Sequence, residues 1–162
     1  MTRFIFKTEK REIMKKLEYY GITELPFLLV TSGKEKVRGY TGILSTDEII
    51  ELDKCVNMEI IGLYLFHNYA DSIRLSMDAI NLLKDQITKN ILELNEKQAK
   101  EWFAGQDILL SKEEKEQLKK ELEQKKETNG FKVIKIAGDL VGMAKITDDR
   151  IINYTPKERR IR

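Results

Sequence analysis

Hydrophobic and polar positions alternate along the chain with two different periods. Ile13, Met14, Leu17 and Tyr20 recur at helical spacing, which predicts an amphipathic helix over 7–20 that Gly21 stops. Pro26 to Thr31 and Val37 to Gly42 predict two strands joined through Ser32-Gly33-Lys34-Glu35. Ser45-Thr46-Asp47-Glu48 has capping-box spacing and opens a helix through Asp53. Glu59 to His67 is the most apolar run and predicts a strand, followed by a short one at Ser72 to Leu75. Ser76 to Leu83 reads as a helix with Met77, Ile80 and Leu83 on one side.

A second series begins near Lys89. Ile91 to Leu94 predicts a strand, and Asn95-Glu96-Lys97-Gln98 caps a helix that runs to Phe103 before Gly105. Asp107 to Leu110 is a further strand. Ser111-Lys112-Glu113-Glu114 then caps a segment with six Lys and six Glu over 112–127, whose only apolar residues are Leu118 and Leu122. These two are four apart and predict a solvated helix packed by a narrow stripe; a partner-binding helix is the alternative. Two alternating runs around Gly138-Asp139 predict a hairpin, and Asp148-Asp149 turns the chain into a last strand, Arg150 to Tyr154. The absence of a flexible linker predicts two halves packed together.

Composition narrows the function classes. The 162 residues, 41% hydrophobic and 35% charged, suit one compact domain or two small ones. Abundant Lys, Glu and Ile with only 2 Pro is compatible with a thermophile or an AT-rich genome. The net charge of +2 divides into +4 over residues 1–16, +4 over 150–162 and −6 between. Basic ends on an acidic body suggest a polyanion surface if the fold brings them together; solvated termini are the alternative.

Cys55 and His67 each stand alone in their residue type, which excludes an internal disulfide and a Cys/His zinc site. Cys55 is expected as a small buried apolar residue beyond a helix, and His67 as a strand-end residue. No run is long enough to span a membrane, and the start, MTRFIFKTEKRE, has no signal-peptide core. A cytoplasmic protein is therefore expected. Neither GxGxxG nor GxxxxGK[ST] occurs, no serine sits in GxSxG, and Asp148-Asp149 is best explained as a turn. These absences favour binding over catalysis: no enzyme activity, no catalytic residue, no metal and no cofactor are expected.

The second half carries the informative order: Ile91-Leu92-Glu93-Leu94, a capped helix ending Trp102-Phe103-Ala104-Gly105, Asp107 to Leu110, then Val133 to Ile136, Gly138 and Leu140 to Lys145. This resembles the PUA domain, a small RNA-binding pseudo-barrel. The closing Ile152-Asn153-Tyr154-Thr155-Pro156-Lys157-Glu158-Arg159-Arg160 resembles the end of the PUA-type region in Sun-family RNA cytosine-5 methyltransferases. The first half, with Ile73 to Ile80, resembles the α/β domain that precedes PUA in a Nip-seven-like ribosome-biogenesis family. The Lys/Glu helix looks inserted. No paired catalytic cysteines are present, which excludes cysteine-dependent methylation by this chain alone.

The resemblance implies an α+β fold: a small N-terminal α/β domain, 1–87, packed on a PUA-like β pseudo-barrel, 88–162, with an inserted polar helix. It implies a non-catalytic protein that binds structured RNA, rRNA or tRNA, in ribosome biogenesis or RNA modification. Pre-ribosomal particles or an RNA-modifying enzyme are the expected partners, with no membrane. The alternatives are a targeting subunit acting in trans with a methyltransferase, or an adaptor that docks through 112–127. Arg159, Arg160 and Arg162 suit bidentate phosphate contacts, and Lys145, Arg150 and Lys157 lie on or beyond the closing strands. Tyr154 is a base-stacking or a core residue. PUA domains imply a groove at the Gly105 turn, where glycine permits close approach of RNA; an ordinary helix cap is the alternative. Lys10 and Lys15 are the candidates on the first helix.

Overall fold

A computed structural model of the chain describes residues 2–33, 35–125 and 130–161. It is a mixed α/β fold of two compact units, which divide between Lys89 and Asn90. The described residues form five α-helices and two five-stranded sheets.

The first unit is built on an antiparallel meander: β1 (Thr2–Phe4), β2 (Leu28–Ser32), β3 (Lys36–Tyr40), β4 (Leu63–Asn68) and β5 (Ile73–Leu75), paired in that order. Helix α1 (Lys7–Leu17) continues as a single 3-10 turn to Tyr20, and Gly21 ends it in the left-handed region. Cross-strand register places Leu29, Val37, Phe66 and Leu75 on one sheet face. That face is buried under α1 and α3 (Met77–Leu83) through Ile13, Leu17, Ile80 and Leu83. Tyr20 joins the pieces, since its hydroxyl donates to Ile73 O and its carbonyl accepts from Thr88 and Lys89 N–H.

Helix α2 (Thr46–Val56) covers part of the opposite face, where Ile49 packs with Phe4, Val30, Leu28 and Tyr40. Its start is the capping box expected at Ser45. Ser45 Oγ accepts from Glu48 N–H at 3.3 Å, and Glu48 Oε2 accepts from Ser45 N–H at 2.7 Å.

Two expectations change here, and one strand, β1, was not predicted. The edge strand β1 is too short to show a period and pairs with β2 only through long-range register. The apolar run from Glu59 becomes a strand only at Leu63. Cys55 is neither beyond the helix nor buried: α2 runs on to Val56, and the thiol is exposed on its outer side.

The second unit is a mixed, barrel-like sheet in the order β6 (Ile91–Glu93), β8 (Phe131–Ile136), β9 (Asp139–Ile146), β10 (Arg150–Asn153), β7 (Ile108–Leu109). β6 pairs with β8 in parallel, and the other pairings are antiparallel. Helix α4 (Glu96–Phe103) inserts the fully buried Trp102 into a core of Leu94, Ile108, Ile134, Ala144 and Ile151.

Helix α5 (Lys112–Lys125) begins with a reciprocal Ser111–Glu114 cap and packs Leu118 against that core. The Leu122 side chain lies outside the described residues. The hairpin turn falls one residue earlier than expected. Ile136 pairs with Asp139, so Ala137 and Gly138 form the two-residue loop, both at positive φ.

Candidate nucleic-acid interface

Each site is assembled where a strand end or helix end must be tied down. Helix α4 ends in a Schellman motif: Gly105 N–H donates to Trp102 O at 2.9 Å and Gln106 N–H to Glu101 O at 3.0 Å. Gly105 has φ +78°, so glycine is favoured there on backbone grounds alone. A Cβ at this position would also overlap Cδ and Nε of Arg160.

This corrects one expectation. The space beside Gly105 does not stand open for RNA, because Arg160 of the same unit fills it. The arginine is half-buried, its Nε donates to Thr155 O at 3.1 Å, and Ile161 N–H donates to Phe103 O at 2.8 Å. The tail after β10 is thus strapped to the end of α4.

Asn153 makes the second tie. Its Nδ2 donates to Trp102 O at 2.8 Å and Gln106 O at 3.2 Å, and its Oδ1 accepts from Thr155 N–H at 2.8 Å. Its own N–H donates to Asp107 Oδ1 at 3.0 Å. Pattern reasoning passed over this residue, since a lone asparagine at a strand end carries no periodic signal.

The remaining candidates of this unit fall into three settings. Lys145 is exposed on β9, with Nζ 5.6 Å from the centroid of the Phe131 ring. Phe131 in turn sits 6.1 Å from the half-buried Tyr154 ring. Lys145 and Tyr154 are therefore brought together through Phe131. Lys157 and Arg159 are exposed on the 3-10 turn after β10.

Arg150 is exposed but already paired: its Nε and Nη2 donate to Asp149, with Nη2 at 2.9 Å. The same contact holds the Asp149 carboxyl below its ordinary range and raises Arg150. The guanidinium is thereby engaged by the turn next to it. Arg162 lies outside the described residues.

Lys10 and Lys15 belong to the first unit. Together with Lys7 and Arg11 they line a groove of about 570 Å³ along α1, floored by Met14 and Ile22. Lys10 Nζ donates to Leu25 O at 3.3 Å, which fixes one wall, while Lys15 is exposed. Glu18 is the one carboxylate among the lining residues.

A barrel-like sheet with an exposed lysine over paired aromatic rings and a basic terminal turn has the features of a small RNA-binding unit. Residues 89–161, a little under half of the chain, match the family model described as the PUA domain of the methyltransferase RsmF. The second unit is thus a PUA domain that resembles the PUA region of Sun-family methyltransferases, and its β pseudo-barrel is the one the resemblance implied. A PUA domain points to RNA as the partner. No curated protein matches the chain. Among the described residues no helix is long and apolar enough to cross a membrane.

Proposed function

We propose that this chain is a non-catalytic RNA-binding protein that recognises structured rRNA or tRNA, and that it works in ribosome biogenesis or RNA modification in the cytoplasm. The observation that carries this reading is the PUA match over 89–161, in a unit where Lys145 stands exposed by the Phe131–Tyr154 ring pair and Lys157 and Arg159 are exposed on the turn after β10. Clustered cations neutralise phosphates and release counterions, so affinity falls steeply with salt. A-form duplexes hide their base edges, so backbone shape at a helix or helix end is the target. The exposed, lone Cys55 fits a reducing compartment.

The origin of the matching model in a methyltransferase favours one second reading: a subunit that targets such an enzyme in trans. The adaptor reading draws less support, because the described apolar residue of α5, Leu118, packs inward on its own unit.

Crosslinking the chain to RNA in cells and sequencing the attached RNA tests both readings, since ribosomal precursors and tRNA assign different roles. In vitro, Lys145→Gln, Lys157→Gln and Arg159→Gln combined lower affinity for an RNA hairpin and reduce the log–log salt slope by up to about 3. An unchanged slope places the site elsewhere. Lys10→Ala with Lys15→Ala tests the α1 groove in the same assay.

A further inference from the structure

Helix α1 carries its surplus positive charge on one side. Residues four apart on a helix follow one another in a row, about 6 Å apart along the axis. Lys7, Arg11 and Lys15 form such a row, and all three are exposed. Lys10, Met14 and Glu18 form the next row, which turns inward enough to half-bury Lys10 and Met14. Both rows line the groove of about 570 Å³, together with Ile22 and Thr23 from the segment after the helix.

This lining suits one kind of occupant. Met14 and Ile22 give an apolar floor, and the aliphatic stems of the lysines and the arginine extend it. Methionine adapts its shape to whatever packs on it. Four cations and one carboxylate surround the floor. Lys10 Nζ is held by the carbonyls of Leu25 and Phe27, at 3.3 and 3.5 Å. Lys7, Arg11 and Lys15 have no hydrogen bond or ion pair from their side chains among the described residues. Glu9, on the same helix, is engaged by Arg3 at 2.7 Å and does not neutralise them. Single-stranded RNA draws on cations and stacking rings together, and no aromatic residue lines this groove. A helix with an apolar stripe fills such a floor. Acidic residues beside its stripe meet the exposed row of cations at the same four-residue spacing.

We propose that the α1 groove docks an acidic amphipathic helix of a partner protein. Its apolar residues, at i, i+3 or i+4 and i+7, rest on Met14 and Ile22. Its Asp or Glu residues pair with Lys7, Arg11 and Lys15. The apolar contact supplies affinity, and the charge pairs set orientation and association rate. The proposal goes beyond the RNA-binding reading and does not depend on it. It gives the first unit a role of its own, which is to tether the chain to another protein.

The test selects random peptides of about 16 residues, long enough for four helical turns, on the full chain by phage display. Enriched peptides are expected to carry acidic residues beside apolar residues at helical spacing. Made synthetically, they gain helicity on binding, read by circular dichroism, and bind more weakly as salt is added. Lys7→Gln, Arg11→Gln and Lys15→Gln combined lower their affinity about tenfold. Met14→Ser alone, which leaves every charge in place, lowers it by about the same factor. The triple variant alters exposed side chains only, so it keeps the melting temperature of the unaltered chain and its affinity for an RNA hairpin. No enrichment, enriched peptides without acidic residues, or peptides that bind the triple variant as tightly as the unaltered chain overturn the proposal. Loss of hairpin affinity in the triple variant assigns the row to RNA and overturns it too. So does a dimer of the unaltered chain that the triple variant dissociates, since it assigns the groove to a second copy.

Discussion

Arg160 fills the space left by the missing side chain of Gly105. The glycine permits two things at once: the left-handed end of α4, and the passage of an arginine stem against the backbone. Gly105→Ala forces a methyl group into both. The left-handed conformation alone costs an L-residue about 1–2 kcal/mol, and displacement of the tail adds to that. Urea unfolding is expected to show the loss, and limited proteolysis is expected to cut earlier within 157–162.

Asn153 is buried and its amide serves three backbone groups. Asn153→Ala leaves the Trp102 carbonyl and the Thr155 N–H without this partner. A loss of about 2–3 kcal/mol is expected, the scale of buried groups left unsatisfied. Chemical denaturation measures it, and an unchanged midpoint would mean that water replaces the amide at no cost.

Ala137 sits at φ +49° in the hairpin loop. Asparagine and glycine tolerate that conformation better than alanine does. Ala137→Asn or Ala137→Gly is therefore expected to stabilise the second unit by about 0.5–1 kcal/mol, read as a higher urea midpoint with the same slope.

Glu48 caps α2 by accepting from the backbone and side chain of Ser45, and those hydrogen bonds hold its carboxyl below the ordinary value of 4.5. A carboxylate lowered in the folded state contributes stability above its unfolded pKa. That contribution is lost as pH falls through the folded value. An NMR titration is expected to show Glu48 titrating below the ordinary glutamate value. Glu48→Gln is expected to flatten the acid limb of the stability curve.

The caps at 45–48, 95–98 and 111–114 were legible in the sequence because each is made by residues three apart. The hairpin and the last strand were equally legible, and so was the resemblance to PUA domains, which rests on the order of short apolar runs. The site was legible only in outline. Arg150 and Arg160 read as two cations among five near the chain end. One is paired to its neighbour Asp149, and the other packs over a glycine fifty-five positions earlier.

Local composition and spacing by themselves determined where the helices start, where most strands run and which half resembles a PUA domain. Tertiary structure decided which charges face outward. Lys36, His67 and Arg74 are far apart in sequence and share one face only because β3, β4 and β5 pair in that register. Register arises from burying the opposite face, Val37, Phe66 and Leu75, and a shift of one residue would turn the cations inward. That constraint acts through the core, so no window of the sequence displays it.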